Sequence, residues 1–308
     1  MTRTGTGKYE ALLERCRGLA PIPTAVAHPC EASALAGPLQ AAANKLIAPM
    51  LIGPKAKIVE VAQREHIELG TAEIIDVPHS HAAAKAAVDL VREGRAELLM
   101  KGSLHTDELL GAVVAREGGL RTGRRISHVF LMDVPGYHKV LVITDAAINI
   151  APSLEDKVDI CQNAIDLAVT LDVSRPKVAA LAAVETVNSK MPATIDAACL
   201  CKMSERGQIV GGVIDGPLAF DNAINREAAK TKGITSEVAG DPDILLAPDL
   251  EAGNILAKQL TFLGGADSAG LVLGARVPII LTSRADSVRA RIASCAVAML
   301  AAHARRRR

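Results

Sequence analysis

Short runs rich in valine, isoleucine and leucine alternate with longer amphipathic stretches along almost the whole chain. This alternation is typical of parallel sheets covered by helices, so the pattern predicts an α/β fold. The apolar runs predict strands at Thr24–Ala27, Met50–Gly53, Glu73–Val77, Glu97–Met100, His128–Asp133, Val140–Thr144, Lys177–Val184, Gly211–Ile214, Ile244–Ala247, Ala269–Leu273 and Val277–Leu281. Apolar residues three and four positions apart predict helices at Ser33–Ala48, Ser80–Glu93, Ser103–Arg116, Glu155–Leu171, Ala193–Glu205, Leu250–Phe262 and Asp286–His303.

The length of the chain suggests two domains. Its 308 residues, 49% of them hydrophobic, are enough to bury a core in each. No linker, internal repeat or low-complexity tract separates them, so a boundary is expected inside a structured crossing near Asp145–Pro152. In open α/β sheets ligands bind beyond the carboxyl ends of the strands. The segments that follow predicted strands are therefore where site residues are expected.

Composition and charge narrow the function classes. The 35 Lys+Arg and 34 Asp+Glu residues give a net charge of +1, and aromatic residues make up only 2% of the chain. Neither bulk charge nor stacking surfaces favour nucleic acid. The sequence also lacks a secretory signal and a stretch of roughly 18 apolar residues that would span a membrane. With no redox or zinc spacing among its cysteines, the chain is expected to be cytoplasmic, with no nucleic-acid or membrane partner.

Four segments that follow predicted strands are unusually polar. They are "KGSLHTDE" (Lys101–Glu108), "TDAAINIAP" (Thr144–Pro152), "DGPLAFDN" (Asp215–Asn222) and "TSRADS" (Thr282–Ser287). In the first, Lys101, Ser103 and Thr106 flank helix amides that can hold a phosphate or carboxylate. A plain strand-to-helix turn explains these residues equally well. In the third, Asp215 and Asp221 either contact a ligand or, as we favour, cap the next helix.

Several familiar motifs are absent from the sequence. No GxGxxG follows a predicted strand and no GxxxxGK[ST] occurs, so the fingerprints of nicotinamide and P-loop sites are missing. The segment "GADSAG" has one residue too many before its serine to match the GxSxG of serine hydrolases. The eight histidines form no HExxH or similar ligand set. No tightly bound metal is expected.

The segment "TSRADS" has two interpretations. Ser283 and Asp286 form an [ST]-x-x-[DE] pair just before a helical apolar stripe, which is the pattern of a capping box, and Ser153–Asp156 repeats it before another helix. Arg284, however, is a cation where the helix dipole disfavours positive charge by a few tenths to ~1 kcal/mol. Because arginine binds phosphate with two parallel hydrogen bonds, the same residues favour an anion site.

Long blocks of the sequence resemble the phosphate acetyltransferase/phosphate butyryltransferase family. They include "LMKGSLHTDELL", "GLRTGRRISHVFLMDVPGYHKVLVITDAAINIAPSLEDK" and "AGLVLGARVPIILTSRADS", and the similarity runs from about residue 33 to residue 303. The chain is most similar to the acyltransferase part of enoyl-CoA hydratase/phosphate acetyltransferase proteins, without room for a hydratase domain. The resemblance implies the reversible reaction acyl-CoA + phosphate ⇌ acyl phosphate + CoA, with acetyl or short-chain acyl groups such as butyryl, in a ternary complex. Coenzyme A is then a substrate, and no tightly bound cofactor is expected.

The resemblance also implies an architecture. It is the fold of isocitrate and isopropylmalate dehydrogenases, with two α/β/α domains around a cleft and a homodimer as the usual assembly. In that fold the last helix returns to the first domain. We therefore predict that residues 1–145 and 284–308 form one domain and residues 146–283 the other.

The predicted catalytic residues come from the same comparison. The family's acetyltransferases have a Ser-Arg pair followed shortly by an aspartate in the cleft. Ser283 and Arg284 match that pair, and Asp286 follows after a shorter gap. These enzymes also have an arginine where this chain has Gly111, and the residues that remain open as replacements for its charge are Arg121, Arg124 and Arg125.

Further residues of the polar segments and of the similar blocks are predicted to bind substrate. They are Lys101, Gly102, Ser103, His105, Thr106, Asp145, Asn149, Asp215, Gly216 and Arg276. Two other function classes stay open at this point. One is a metal- and NAD-dependent dehydrogenase of the same architecture, and the other is a non-catalytic relative that binds CoA or another metabolite.

Overall fold

The computed structural model describes residues 7–282 and 286–307, and it confirms the α/β class. The strands are β1 (Ile22–Ala27), β2 (Ile47–Gly53), β3 (Glu73–Asp76), β4 (Leu98–Lys101), β5 (Ser127–Asp133), β6 (Leu141–Thr144), β7 (Lys177–Leu181), β8 (Val213–Leu218), β9 (Ile244–Leu246), β10 (Asp267–Leu273) and β11 (Ile279–Ile280). The helices are α1 (Lys8–Cys16), α2 (Ala32–Ala43), α3 (Lys55–Arg64), α4 (Ser80–Arg92), α5 (Thr106–Val113), α6 (Leu154–Thr170), α7 (Pro192–Glu205), α8 (Phe220–Ile224), α9 (Arg226–Thr231), α10 (Leu250–Phe262) and α11 (Val288–Arg306).

The chain divides into two compact units. The central unit contains Arg125–Ser268 together with Met1–Lys8, and the terminal unit contains Tyr9–Arg124 and Ala269–Arg308. The units divide at 124/125 and 268/269, whereas the domain boundaries predicted from the sequence lie at 145/146 and 283/284.

In the terminal unit the strand order is β3-β2-β1-β4-β11-β10. All neighbouring pairs are parallel except β10–β11, which is antiparallel. The carboxyl ends of β1, β4 and β11 therefore lie side by side at one edge. The register is specific, because Ala27 pairs with Lys101 and Ile280 pairs with Met100. This edge carries much of the predicted site.

In the central unit the strand order is β5-β6-β9-β7-β8. Only β5–β6 is antiparallel, and the other pairs run parallel. Helix α6 packs against β5, β6 and β9, and α7 packs against β7 and β8. The sequence predicted parallel strands, and this is wrong for two pairs, β5–β6 and β10–β11. Short connections explain both exceptions, since a few residues can join antiparallel neighbours whereas a parallel crossover needs a dozen or more.

The predicted elements overlap all of these strands but miss α1, α3, α8 and α9. Helix α1 buries only Cys16, and α8 and α9 are 5 and 6 residues long, so their apolar periodicity is weak. The helix predicted to end at Ala48 ends at Ala43 instead. Lys45, with φ of 59°, turns the chain, and the apolar residues after it form β2. Within the described residues, no helix is both long and apolar enough to cross a membrane.

Candidate active site

Three strand ends meet at the edge of the terminal unit where the sequence places its polar segments. β1 is followed by His28, β4 ends at Lys101, and β11 is followed by Leu281 and Thr282. Lys101 is buried, with 8% of its surface exposed, and Thr282 is buried as well. The Ser283-Arg284 pair continues directly from Thr282 but lies outside the described residues. A lysine and the segment that leads into the Ser-Arg pair thus leave adjacent parallel strands at the same edge.

The turn after β4 is bound to the turn after β1. Gly102 N donates to Ala27 O at 2.9 Å, and Ser103 N donates to His28 O at 2.9 Å. The Ser103 hydroxyl donates to His28 O at 2.7 Å, accepts from Cys30 N at 3.2 Å and lies 3.2 Å from His28 Nδ1. Burial, followed by the positive charge of Lys57, lowers the pKa of the His28 imidazole. Ser103 therefore fixes the relative position of two strand ends.

The helix after this turn begins later than predicted. The sequence pattern places its start at Ser103, but α5 begins at Thr106. Ser103 is hydrogen-bonded to the β1 turn and so is not available as a first helical residue. His105 is the N-cap, without a side-chain cap bond, and it is exposed. His105 and Thr106 thus mark the amino end of α5, close in sequence to Lys101.

The Ser283–Asp286 capping box is corrected by the structure. α11 begins at Val288 and its N-cap is Ser287, whose hydroxyl accepts from Ala290 N at 3.1 Å. Asp286 precedes the cap, is half-buried, and cannot be the third residue of the helix. The equivalent prediction at Ser153–Asp156 is confirmed, because both reciprocal bonds of that box are present before α6. The N-cap of α11 is therefore Ser287, four residues later than the sequence pattern predicts.

A buried arginine of α11 is hydrogen-bonded to Thr282, the residue that precedes the Ser283-Arg284 pair in the sequence. Arg291 of α11 is only 5% exposed, and its Nη1 donates to Thr282 Oγ1 at 3.2 Å. Its side chain also packs on α2, where a Cβ at Gly37 would lie 3.1 Å from Arg291 Cδ. The sequence interpretation missed Arg291, although it lies three residues after Val288 on the face of the helix that carries the apolar stripe.

Arg276 lies at the opposite end of β11. It is an exposed residue of the turn between β10 and β11, and its backbone N donates to Leu120 O at 2.9 Å. Thr282 lies six positions further along the chain, which corresponds to at most about 20 Å. The structure does not bring Arg276 to the edge that carries Lys101.

In the central unit, Asp145 follows β6 and is 2% exposed. Its Oδ1 accepts from Ala147 N at 2.8 Å and Ile148 N at 3.0 Å. Its Oδ2 accepts from His128 N at 3.2 Å, from Asn149 N at 3.3 Å and from Asn149 Nδ2 at 2.5 Å. This carboxylate is occupied by donors of its own unit and shapes the loop after β6. Asn149 is buried beside it.

Asp215 and Gly216 lie inside a strand, which corrects the loop predicted for "DGPLAFDN". β8 extends to Leu218, and α8 then begins at Phe220 after an N-cap, Ala219, that makes no side-chain cap bond. Asp215 Oδ1 accepts from Gly216 N at 2.9 Å. A Cβ at Gly216 would lie 2.7 Å from Ala180 O, so close strand packing requires glycine there. Neither Asp215 nor Asp221 is the N-cap of α8.

His128 is a buried titratable residue that the sequence interpretation did not select. It is fully buried in β5 beside Phe130, with ring centroids 4.4 Å apart. Among the described residues, neither of its ring nitrogens has a hydrogen-bond partner. Burial lowers the pKa of its imidazole to about 4, although the Asp145 carboxylate acts in the opposite direction. His128 is therefore a neutral core residue at pH 7.

The pKa of His128 predicts a loss of stability in mild acid. The unfolded chain titrates this imidazole near 6.5 and the folded chain near 4, so between these values only the unfolded state binds the proton. The stabilisation present above pH 6.5 is thus lost as the pH falls, by about 2 kcal/mol at pH 5. Urea unfolding at pH 7 and pH 5 measures it, and His128→Phe should lose about 2 kcal/mol less than wild type. Equal losses in the two proteins would contradict this assignment.

No group of three or more histidine, cysteine, aspartate or glutamate side chains is arranged to hold a metal ion within residues 7–282 and 286–307. The cysteines of these ranges are unpaired thiols, and burial raises the pKa of Cys30 to about 11.

Comparison with known proteins agrees with the family resemblance of the sequence. Residues 80–299 match the family model described as "Phosphate acetyl/butaryl transferase". A phosphate acetyltransferase of Rhizobium meliloti is 65% identical over 97% of this chain and 95% of its own length. A phosphate butyryltransferase of Clostridium beijerinckii is 43% identical over 96% of this chain and 97% of its own length.

A solved structure supports the same assignment. The branched-chain phosphotransacylase from Enterococcus faecalis V583 superposes with a TM-score of 0.80 and 30% sequence identity, covering 92% of this chain and 99% of that one. The family inferred from the sequence blocks is confirmed by both kinds of comparison. The chain belongs to the phosphate acetyl/butyryl transferase family.

Proposed function

We propose that this chain transfers an acyl group between coenzyme A and phosphate, with acetyl-CoA or a short-chain acyl-CoA such as butyryl-CoA as substrate. Its main structural support is the edge of the terminal unit where β4 ends at Lys101 and the adjacent strand β11 leads into Ser283-Arg284. Parallel strands deliver ligand-binding residues at their carboxyl ends. Family membership and the phosphate acyltransferase names of the relatives support the same reaction.

Several finer features belong to the proposal. The fold is proposed to be that of isocitrate and isopropylmalate dehydrogenases, with two α/β/α domains around a cleft. The protein is proposed to be a cytoplasmic homodimer. Both substrates bind before transfer occurs, without a covalent acyl-enzyme. Lys101, Gly102, Ser103, His105 and Thr106 form the substrate edge of the terminal unit. Asp145, Asn149, Asp215 and Gly216 are the corresponding proposals in the central unit.

The proposed chemistry gives a role to each of Ser283, Arg284 and Asp286. In the direction of acyl-CoA synthesis, Asp286 accepts the CoA thiol proton while the sulfur attacks the acyl phosphate carbonyl. The carbon–oxygen bond to phosphate then breaks, and Arg284 with Ser283 holds the departing phosphate. Arginine suits this role because its planar donors match two phosphate oxygens.

Proton transfer to Asp286 has to accompany the attack. An ordinary aspartate titrates near ~3.9 and a thiol near ~8.5, so complete transfer beforehand is opposed by ~6 kcal/mol. A neighbouring arginine deepens the opposition by stabilising the carboxylate, although it also favours a thiolate. Transfer concerted with attack in a site that excludes water avoids a free thiolate. Asp286 is half-buried, which is consistent with such a site.

A thiol-release assay tests the proposed function. Acetyl-, propionyl-, butyryl- and longer acyl-CoAs are each incubated with the protein, with and without phosphate, and free CoA is measured with a chromogenic disulfide that its thiol cleaves. We expect release that depends on phosphate and is fastest for a short acyl group. Because one methylene changes discrimination by only ~1–3 kcal/mol, neighbouring chain lengths should differ by about 10- to 200-fold at most. Release that is equal without phosphate, or no release with any acyl-CoA, would refute the proposal.

A further inference from the structure

Arg125, two residues before β5 in the central unit, is hydrogen-bonded to three side chains although it lies at the surface. Its backbone N donates to Asp159 Oδ2 at 2.7 Å, and its backbone O accepts from Asn163 Nδ2 at 2.9 Å. Its side-chain Nε donates to Asn149 Oδ1 at 2.7 Å. Backbone and guanidinium are thus fixed by separate contacts. An exposed arginine ordinarily keeps most of its rotamer freedom, which costs ~2 kcal/mol to restrict.

The group that fixes the guanidinium is itself immobile. Asn149 is 3% exposed, and its Nδ2 donates to Asp145 Oδ2 at 2.5 Å and to Ile126 O at 2.9 Å. Because both contacts are with acceptors, the amide cannot turn around, and its oxygen must face Arg125. Asp145 is anchored in turn by three backbone N–H groups of its own loop and by His128 N of β5. Two buried polar residues after β6 therefore act together to orient one surface cation.

The charges around Arg125 leave one side of the guanidinium open. Its Nη1 lies 3.4 Å from Asp156 Oδ1, at the first turn of α6, and the side chain is 53% exposed. Within the described part of the chain, no hydrogen bond is formed by its Nη2. Asp156 and Asp159 lower the local positive potential, whereas the amino end of α6 raises it. The geometry offers Nη2, and the outer side of Nη1, to a ligand.

We propose that Arg125, positioned by Asn149 and Asp145, binds a phosphate group of a substrate. The inference rests on the proposed function, because acyl phosphate, inorganic phosphate and coenzyme A all carry such groups. Among the three arginines that the sequence left open, Arg125 has a guanidinium that is hydrogen-bonded to a buried amide, that of Asn149. Arg121 is an exposed residue in a backbone bridge with Ala275, and no buried amide network holds its guanidinium among the described residues.

The KM values of Arg125→Gln for each substrate test this role. We expect the variant to raise one KM by about tenfold or more, as for loss of a charge-assisted contact, with a smaller change in kcat. A rise for inorganic and acyl phosphate identifies the transferred phosphate as the ligand, and a rise for CoA and acyl-CoA identifies a phosphate of CoA. Arg175→Gln is the control, because it removes the same charge from an exposed arginine of the same unit that pairs with Glu237. Unchanged KM values in Arg125→Gln, or an equal rise in Arg175→Gln, would overturn the proposal.

Binding measured without turnover separates this inference from the proposed function. Calorimetric titration of wild type and Arg125→Gln with CoA and with inorganic phosphate should show about tenfold weaker binding of one ligand even if acyl transfer were absent. Asn149→Ala should weaken binding of that ligand as well, but should cause no further loss when Arg125 is already glutamine. Additive losses in the double variant, with both single variants folded by thermal melting, would show that Asn149 does not act through Arg125.

Discussion

Replacing Asp286 with asparagine should lower kcat by about 10²- to 10⁴-fold, the usual contribution of a positioned general base. The amide is close to the carboxylate in size but accepts no proton from the CoA thiol. KM values for phosphate and acyl-CoA should change much less, because the proposed proton transfer occurs only in the transition state. Steady-state kinetics in the direction of acyl-CoA synthesis measure both parameters.

The neighbouring serine provides the matched control. Ser287 caps α11 through its bond to Ala290 N, so Ser287→Ala should reduce the free energy of unfolding by about 1 kcal/mol. It removes no group assigned to the chemistry, and its effect on kcat should be small. A near-normal kcat in Asp286→Asn would contradict the catalytic assignment of Asp286. An equal loss of kcat in Ser287→Ala would show that both effects come from the helix end.

Gly102→Ala should destabilise the protein by about 3 kcal/mol or more, at the upper end of overpacking costs. A Cβ at this position would lie 2.3 Å from Ala27 O and 2.5 Å from His28 O. These atoms belong to the backbone at the end of β1 and cannot rotate away. The strand ends must therefore separate, which also displaces Lys101 and Ser103. We expect kcat/KM to fall by at least about tenfold, since ångström-scale misplacement is costly.

Gly111→Ala is the control, because it adds the same methyl group at a position where the methyl group meets no other atom. A Cβ at Gly111 meets nothing within 4 Å, and the residue lies inside α5. Alanine is preferred to glycine in a helix, so this variant should gain about 0.5–1 kcal/mol in stability. Urea unfolding of both variants gives the comparison. Similar stabilities for the two would mean that the close approach of Gly102 to the end of β1 is not required.

Most strands were predictable because they are short apolar runs that the sheet buries. β4 and β9, for example, are buried along their full length. Strand direction was harder, since the apolar pattern of β10 and β11 does not distinguish a tight antiparallel turn from a crossover. The start of α11 was misplaced for a local reason. Ser283 and Ser287 are both acceptable caps, and only the extended backbone of Ser287 decides between them.

Site residues that directly follow a strand could be predicted from the sequence. Site residues that are held by side chains far away in the sequence could not. Lys101 and Ser103 were found because they follow a strand. His28 could have been found by the same rule applied to β1. The hydrogen bonds that hold Arg125 could not be predicted from the sequence, because Asn149 lies 24 residues away and Asn163 lies 38 residues away. Such contacts depend on how α6 packs against β5, which apolar periodicity does not specify.

In the proposed reaction phosphate, rather than water, receives the acyl group from coenzyme A. ³¹P NMR of the protein with acetyl-CoA or butyryl-CoA and inorganic phosphate tests it most directly, because acyl phosphate and inorganic phosphate have separate resonances. We expect an acyl phosphate resonance that grows in step with free CoA and disappears when excess CoA reverses the reaction. Release of CoA with no acyl phosphate resonance, as in a hydrolase, would contradict the account.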